Sequence, residues 1–298
     1  MVSQKYLDKA EVLIEALPYI RRFNRKIIVV KYGGSAMIDE ILKQDVIEDI
    51  VLLKLVGFKP ILIHGGGKEI SKWSSKIGLE TQFLNGLRVT DAQTMELAEM
   101  VLAKVNKELV SRVQSLGVKA AGISGKDGGL LKVRKKRSSA GDLGFVGQVT
   151  GVDPKILLDL LKNDYLPIVF PVAMDADLNS YNVNADEAAG AIAMELNAEK
   201  LAFLSDVEGV RMDPEDPDSV ISELYTGEAA DLIEQGVITG GMIPKIRNCI
   251  DAISKGVNRV HILDGRIPHS LLLEIFTDKG CGTAIVRPNQ EKYWKEKE

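Results

Sequence analysis

Six short apolar runs, "KIIVV", "KPILIH", "KAAGIS", "LPIVFPV", "KLAFLS" and "NRVHIL", recur along the chain with amphipathic stretches between them. A strand that is apolar at nearly every position must be covered on both faces. Continuous apolar strands alternating with helices therefore build a mainly parallel sheet between helical layers. The fold class is α/β. The intervening "ILKQDVIEDIVLLKLVG" and "TMELAEMVLAKVNKELVSRVQSLG" carry helical spacing. The glycine-rich, charged stretch 125–151 is less periodic and reads as hairpins on the rim. Turn chemistry in "LNSYNVNAD" places a lobe boundary around 175–184. Near the N-terminus Tyr6, Ala10, Leu13, Leu17 and Ile20 form one helical stripe. That helix either packs on its own domain or docks on another subunit, and Pro18 implies a kink or break late in it.

Two segments share one local grammar. "IIVVKYGGSA" and "PILIHGGGKEI" each run strand, glycine turn, helix. Glycines at such a turn expose backbone N–H groups and, with the helix start, can form an anion nest. Two nests side by side could hold a polyphosphate. Neither a GxxxxGK[ST] loop nor a GxGxxG fingerprint occurs, so P-loop and dinucleotide-binding readings fail. Lys31 is the unusual residue here, an ammonium group where an apolar strand meets a glycine turn.

In "TGGMIPKIRNCI", Ile243, Ile246, Ile250 and Ile253 mark one helix face and Pro244 suits the first turn. Lys245 then lies early in the helix, where the dipole disfavours a cation, unless an anion shares that end. In "SYNVNADEAAGAIAMEL", Asn184 suits the N-cap with Glu187 three residues on, and Asp186 suits the first turn. Capping leaves Asn182 unexplained. Arg88 in "NGLRVTD" could clamp a carboxylate or be an ordinary surface arginine.

Composition excludes more than it selects. The 298 residues can bury a large core, as one domain or two lobes, and the net charge of −4 argues against a general nucleic-acid binder. "KVRKKR" reads as a solvated hairpin or loop. Cys249 and Cys281 are too few for a disulfide framework, which points to a reducing compartment. Lacking a secretory apolar core and any apolar run of about 20 residues, the chain is expected to be cytoplasmic, with no membrane partner.

"VVKYGGSAM", "HGGGKEI", "NGLRVTD", "NVNAD", "SDVEGV" and "GGMIPK" stand in the order found in the amino-acid kinase superfamily, and most closely resemble its N-acetylglutamate kinase branch. The resemblance runs from about Ile27 to Ile285. It departs at Lys68, where that family often has proline, and at Ser205, where threonine is common. It implies a three-layer αβα sandwich around a mainly parallel central sheet of about eight strands. It further implies an N-terminal oligomerisation helix (1–24), an N-lobe for acetylglutamate binding and dimerisation (25–178) and a C-lobe for ATP (179–298). The reaction implied is transfer of the γ-phosphoryl group of ATP to the side-chain carboxylate of N-acetyl-L-glutamate, in arginine biosynthesis.

By the same resemblance, Lys31 and Lys245 meet the transferring group from the acceptor and nucleotide sides, and Asp186 orients both. Gly65, Gly66, Arg88 and Asn182 hold the acceptor, with Arg88 on its α-carboxylate. Gly33, Gly34, Asp206, Gly209 and Met242 line the phosphate and nucleotide path. Backbone N–H groups of Gly34, Gly65 and Gly66 are the expected anion donors. Mg²⁺ is expected on the ATP phosphates, without dedicated protein ligands. Arginine is the implied inhibitor, at a site shaped by Lys200, His261, Glu274 and Gly280, and a hexamer built as a trimer of dimers the implied assembly. A kinase for an aminoadipate derivative and a non-catalytic arginine or nucleotide sensor are the rival readings.

Overall fold

The computed structural model describes residues 3–213, 215–277 and 279–288. In chain order its helices are α1 Gln4–Phe23, α2 Glu40–Leu55, α3 Gly67–Lys76, α4 Ala92–Ser115, α5 Lys155–Lys162, α6 Ala185–Glu195, α7 Thr226–Glu234, α8 Met242–Ser254 and α9 Ser270–Phe276. The strands are β1 Ile27–Tyr32, β2 Lys59–His64, β3 Phe83–Leu84, β4 Leu87–Arg88, β5 Ala120–Ser124, β6 Leu131–Lys135, β7 Val146–Val152 and β8 Leu166–Phe170. They continue with β9 Val172–Met174, β10 Ser180–Val183, β11 Lys200–Ser205, β12 Glu223–Tyr225, β13 Arg259–Asp264 and β14 Thr283–Val286.

Eight of these strands form one sheet in the order β12-β14-β13-β11-β1-β2-β8-β5, parallel except for the β13–β14 pair. β1 is central, paired in parallel with β2 and β11. Its side chains alternate between two cores. Ile28, Val30 and Tyr32 join the cluster under α2 and α9, while Val29 faces the opposite cluster with Ala188 and Ala189 of α6 and Ile246 of α8. The period-two rule puts Lys31 on the same face as Val29, toward α6 and α8. The small residues Ala188, Ala189, Gly190 and Ala193, all buried, let α6 lie close over β1.

Rim elements follow the expected chemistry, and one helix differs. β6 and β7 form the anticipated antiparallel hairpin, and with β9 and β10 close a small four-stranded sheet. The 175–184 region holds the tight turn 175–179 between antiparallel β9 and β10, where Asp175 Oδ1 accepts from the N–H groups of Asp177 and Asn179, followed by β10 itself. α1 continues past Pro18 to Phe23 without the expected break, so the proline costs the helix one interior hydrogen bond rather than its continuity. Tyr19 and Phe23 anchor this helix. Tyr6, Leu13 and Leu17 of the predicted stripe are exposed, being 65%, 72% and 47% accessible.

Candidate active site

The carboxyl ends of parallel strands gather at one edge of the sheet, where α/β folds place ligands. Lys31 closes β1 there. α6 begins at the same edge, its first turn fixed by the Asn184 side chain, which accepts from the N–H groups of Asp186 and Glu187 at 2.8 and 3.1 Å. Glu187 does not complete a capping box. Its carboxylate reaches across to the Val149 N–H at 2.8 Å and Lys136 Nζ at 2.7 Å, tying α6 to the rim hairpin. So held, Asp186 places Oδ1 2.9 Å from Lys31 Nζ and Oδ2 3.2 Å from Lys245 Nζ. The first contact is an ion pair outside hydrogen-bond alignment; the second is a hydrogen bond. All three side chains are largely buried, at 12%, 20% and 14% exposure for Lys31, Asp186 and Lys245. Burial alone would raise the Asp186 pKa, but Lys31 and Lys245 outweigh it and hold the carboxyl below its ordinary range. Two ammonium groups and one carboxylate leave one net positive charge, an anion-attracting centre. Lys245 also lies over the Phe203 ring at 5.5 Å, and Phe203 is the register partner of Lys31.

The two glycine turns flank this trio. Gly34 has φ +79°, and a Cβ there would fall 2.3 Å from Asp206 Oδ1; a Cβ on Gly33 would fall 2.4 Å from Lys31 Nζ. Asp206 Oδ1 in turn accepts from the Ser35 N–H and hydroxyl, both at 2.6 Å. Ser35 is a site residue the sequence reading missed. At the second turn the structure corrects an expectation. The Gly65 N–H donates to the Tyr32 carbonyl at 2.8 Å, extending the β1–β2 ladder, and is not free for an anion. The N–H groups of Gly66 and Gly67 open α3 and have no intrahelical acceptor. His64 beneath it is buried and neutral: burial lowers its pKa to about 4, and Nδ1 bonds the Gly65 carbonyl at 2.7 Å.

Arg88 is 8% exposed, so it is no surface arginine. Its Nη2 donates to the Gly67 carbonyl and to Ser71 Oγ, both at 2.8 Å, and its guanidinium sits 4.9 Å from the Phe83 ring centroid. Asn182 lies in β10, its N–H donating to the Phe145 carbonyl at 2.9 Å. Beside Asp206 and the start of α8 opens a cleft of about 330 Å³. It is lined by Asp206, Gly209 and Met242, all expected there, and by Val207, Thr239 and Arg266, which were not. Gly209 has φ +148°, and a Cβ there would fall 2.5 Å from Thr283 Oγ1.

The amino acid kinase family model matches residues 26–264. The chain belongs to the amino acid kinase family. It is 57% identical over 282 residues to the acetylglutamate kinase of Campylobacter jejuni subsp. doylei, covering 95% of this chain and 99% of that one. To the acetylglutamate kinase of Petrotoga mobilis it is 54% identical, over 94% of both chains. Among solved structures it superposes on an N-acetylglutamate synthase from Neisseria gonorrhoeae, complexed with coenzyme A and N-acetyl-glutamate, with a TM-score of 0.84 and 26% identity. That match covers 94% of this chain and 64% of the longer synthase. A carbamate kinase from Giardia, 15% identical with a TM-score of 0.67, shares the fold over 89% of this chain and 99% of that one.

A second polar cluster of this family member lies away from the strand edge. Lys200 Nζ is 3.1 Å from His261 Nε2, His261 Nδ1 is 2.6 Å from Glu274 Oε1, and the Cys281 N–H donates to Glu274 Oε2 at 2.8 Å. Gly280, at φ +62°, leaves room for the Glu274 carboxylate, which a Cβ would approach to 2.3 Å. Burial pushes the Lys200 ammonium down to about 7 and the His261 imidazole to about 4. The His261–Glu274 contact is therefore a hydrogen bond from a neutral ring rather than an ion pair. Lys200 Nζ also lies 5.0 Å from the Phe23 ring centroid, linking the cluster to α1. All four residues expected at an effector site are thus together. Among the described residues no group of three or more His, Cys, Asp or Glu side chains could hold a metal ion, and no helix is long and apolar enough to cross a membrane.

Proposed function

We propose that the chain transfers the γ-phosphoryl group of ATP to the side-chain carboxylate of N-acetyl-L-glutamate, the reaction by which its acetylglutamate kinase relatives are named. The observation that carries the chemistry is Asp186 held between Lys31 and Lys245. A carboxylate acceptor is already ionised at neutral pH and needs no general base. The barrier is repulsion between two anions and charge build-up on the phosphoryl oxygens, so positioned cations do the work. A site whose central carboxylate, Asp186, is committed to two lysines suits that demand. It would suit poorly a hydroxyl acceptor, which must lose a proton.

In this reading a carboxylate oxygen of the acceptor forms a bond to the γ-phosphorus as the bridging β–γ oxygen leaves with ADP, giving an acyl phosphate. Lys31 stabilises the group from the acceptor side and Lys245 from the nucleotide side. The Gly66 and Gly67 N–H groups and Arg88 seat the acceptor with Asn182. The cleft of Asp206, Gly209 and Met242 takes the nucleotide, and Mg²⁺ arrives with ATP on its phosphates. The acetyl group has a chemical reason: a free amine would attack the acyl phosphate and cyclise. The test is ATP-dependent acyl phosphate trapped with hydroxylamine, offering N-acetyl-L-glutamate, L-glutamate, L-aspartate and an N-acetyl-aminoadipate in parallel. Turnover of N-acetyl-L-glutamate alone supports the reading, and silence on all four favours a sensor.

The same proposal extends to control and assembly. Arginine as inhibitor is supported by the Lys200–His261–Glu274 cluster beside α1, and assembly by the exposed stripe of Tyr6, Leu13 and Leu17. Deleting the residues before Phe23 should abolish both hexamer and arginine inhibition; a truncated chain that still forms a hexamer refutes the assembly half.

A further inference from the structure

A third lysine lies against the same glycine turn and has no part in the reaction as described. Gly34 packs on Asp206, whose Oδ1 is fully engaged by Ser35 and whose Oδ2 receives Lys68 Nζ at 3.3 Å. Lys68 belongs to the first turn of α3, after the second glycine turn, while Asp206 follows β11. The ammonium group thus crosses the gap between the two turns. It does so from a position where the helix dipole opposes a cation.

The pair is loose and wet. Lys68 is 50% exposed and Asp206 38%, so by itself the contact stabilises the fold little. Asp206 does not depend on it, because two short bonds from Ser35 already hold the carboxylate. The arrangement makes better sense as a resting position. A nucleotide with its base in the Gly209–Met242 cleft and its γ-phosphoryl group between Lys245 and Lys31 must lead its phosphate chain past Asp206 and Gly34. There Lys68, on a flexible four-carbon stem, can exchange one half-exposed carboxylate for the denser charge of a polyphosphate.

We propose that Lys68 is a third phosphate-binding cation, resting on Asp206 in the nucleotide-free chain and moving to the α- or β-phosphate oxygens of ATP on binding. The inference rests on the nucleotide placement proposed above. The experiment compares the full-length chain with Lys68→Met, which keeps the stem and removes the charge, and with Lys68→Arg. ADP and adenosine affinities are measured by calorimetry at low and high NaCl, and the KM of ATP and of N-acetyl-L-glutamate in the kinase assay. Lys68→Met should weaken ADP and raise the ATP KM roughly five- to tenfold, between a screened surface pair and a desolvated charge-assisted bond. Adenosine affinity and the acceptor KM should stay put, the ADP effect should shrink in salt, and Lys68→Arg should recover most of it. Unchanged ADP affinity would overturn the proposal. So would equal losses for ADP and adenosine, which would mean that Lys68 acts only by placing Asp206. A wild type that binds ADP yet phosphorylates no acceptor would sink the acceptor assignment and leave the Lys68 comparison readable; one that binds neither ADP nor adenosine would end both.

Discussion

Asp186, the second residue of α6, lies 2.9 Å from the ammonium group of Lys31 at the end of β1, although 155 positions separate them. Their meeting depends on β1 and β11 being parallel neighbours and on α6 crossing above them on the face that Lys31 shares with Val29. The carboxylate keeps two like charges together in a space where alone they would repel.

Replacing Asp186 by Asn should therefore cost turnover far more than binding. With the neutral amide both lysines lose their fixed orientation, and kcat should fall by about 10²–10³, the scale of losing one preorganised electrostatic partner. Michaelis constants for both substrates should change little. Steady-state kinetics on a variant with a native circular dichroism spectrum checks this, and a kcat within a few fold of wild type would mean that Asp186 serves only to fix α6.

Arg88→Lys separates the acceptor from the nucleotide. A lysine keeps the charge but cannot hold the Gly67 carbonyl and Ser71 while also offering the donors that the guanidinium keeps on Nε and Nη1. The acceptor KM should rise roughly 10- to 100-fold, the worth of about 1.5–3 kcal/mol for a charge-assisted bond, with the ATP KM steady. An unchanged acceptor KM would leave Arg88 as a strut holding the Gly67 carbonyl and Ser71.

Stability should fall on acidification through His261. Its folded pKa is near 4 and its ordinary value 6.5, so below 6.5 the unfolded chain takes up a proton that the folded chain refuses. The contribution is intact above pH 6.5 and is lost as pH drops toward 4. Between pH 6.5 and 5 it amounts to up to about 2 kcal/mol. Asp49, buried beside His269 with its carboxyl held up near 6, acts in the opposite sense but is common to both chains compared. Denaturant melts of wild type and His261→Asn at pH 7 and pH 5 should show the wild type losing more; parallel losses would contradict a neutral buried imidazole.

Much of this was legible in the sequence, and the exceptions have physical causes. Strands buried on both faces announce themselves by continuous apolarity, so the mainly parallel sheet was accessible from "KIIVV" and its five companions, while β12 and β14 matched none of these runs and the count of about eight came from the family resemblance. Lys31 and Lys245 were conspicuous because each breaks a local rule, whereas Asp186 looked like ordinary first-turn chemistry and only the family resemblance tied it to the two lysines. Their distances apart came from topology, which spacing does not encode. The Gly65 N–H was misjudged because a glycine turn does not reveal which of its amides continues the ladder; that is set by register with Tyr32. Arg266 was missed although "DGR" ends β13 much as "SDVEG" ends β11, and its guanidinium is anchored to Asp264 through Nε and Nη2 at 2.8 and 2.7 Å. The α1 stripe was read correctly as apolar, yet amphipathicity alone does not say what covers it.

The central claim is that a compact ammonium group on β1 meets the transferring phosphoryl. Lys31→Arg tests it most directly, measured as single-turnover formation of the hydroxylamine-trapped acyl phosphate with ADP affinity as control. A planar guanidinium does not reproduce a compact point charge in a pocket this enclosed. The account predicts loss of most of the turnover, about 10²-fold or more, with ADP affinity retained. Near-normal turnover in the folded variant would contradict it and move the chemistry away from Lys31.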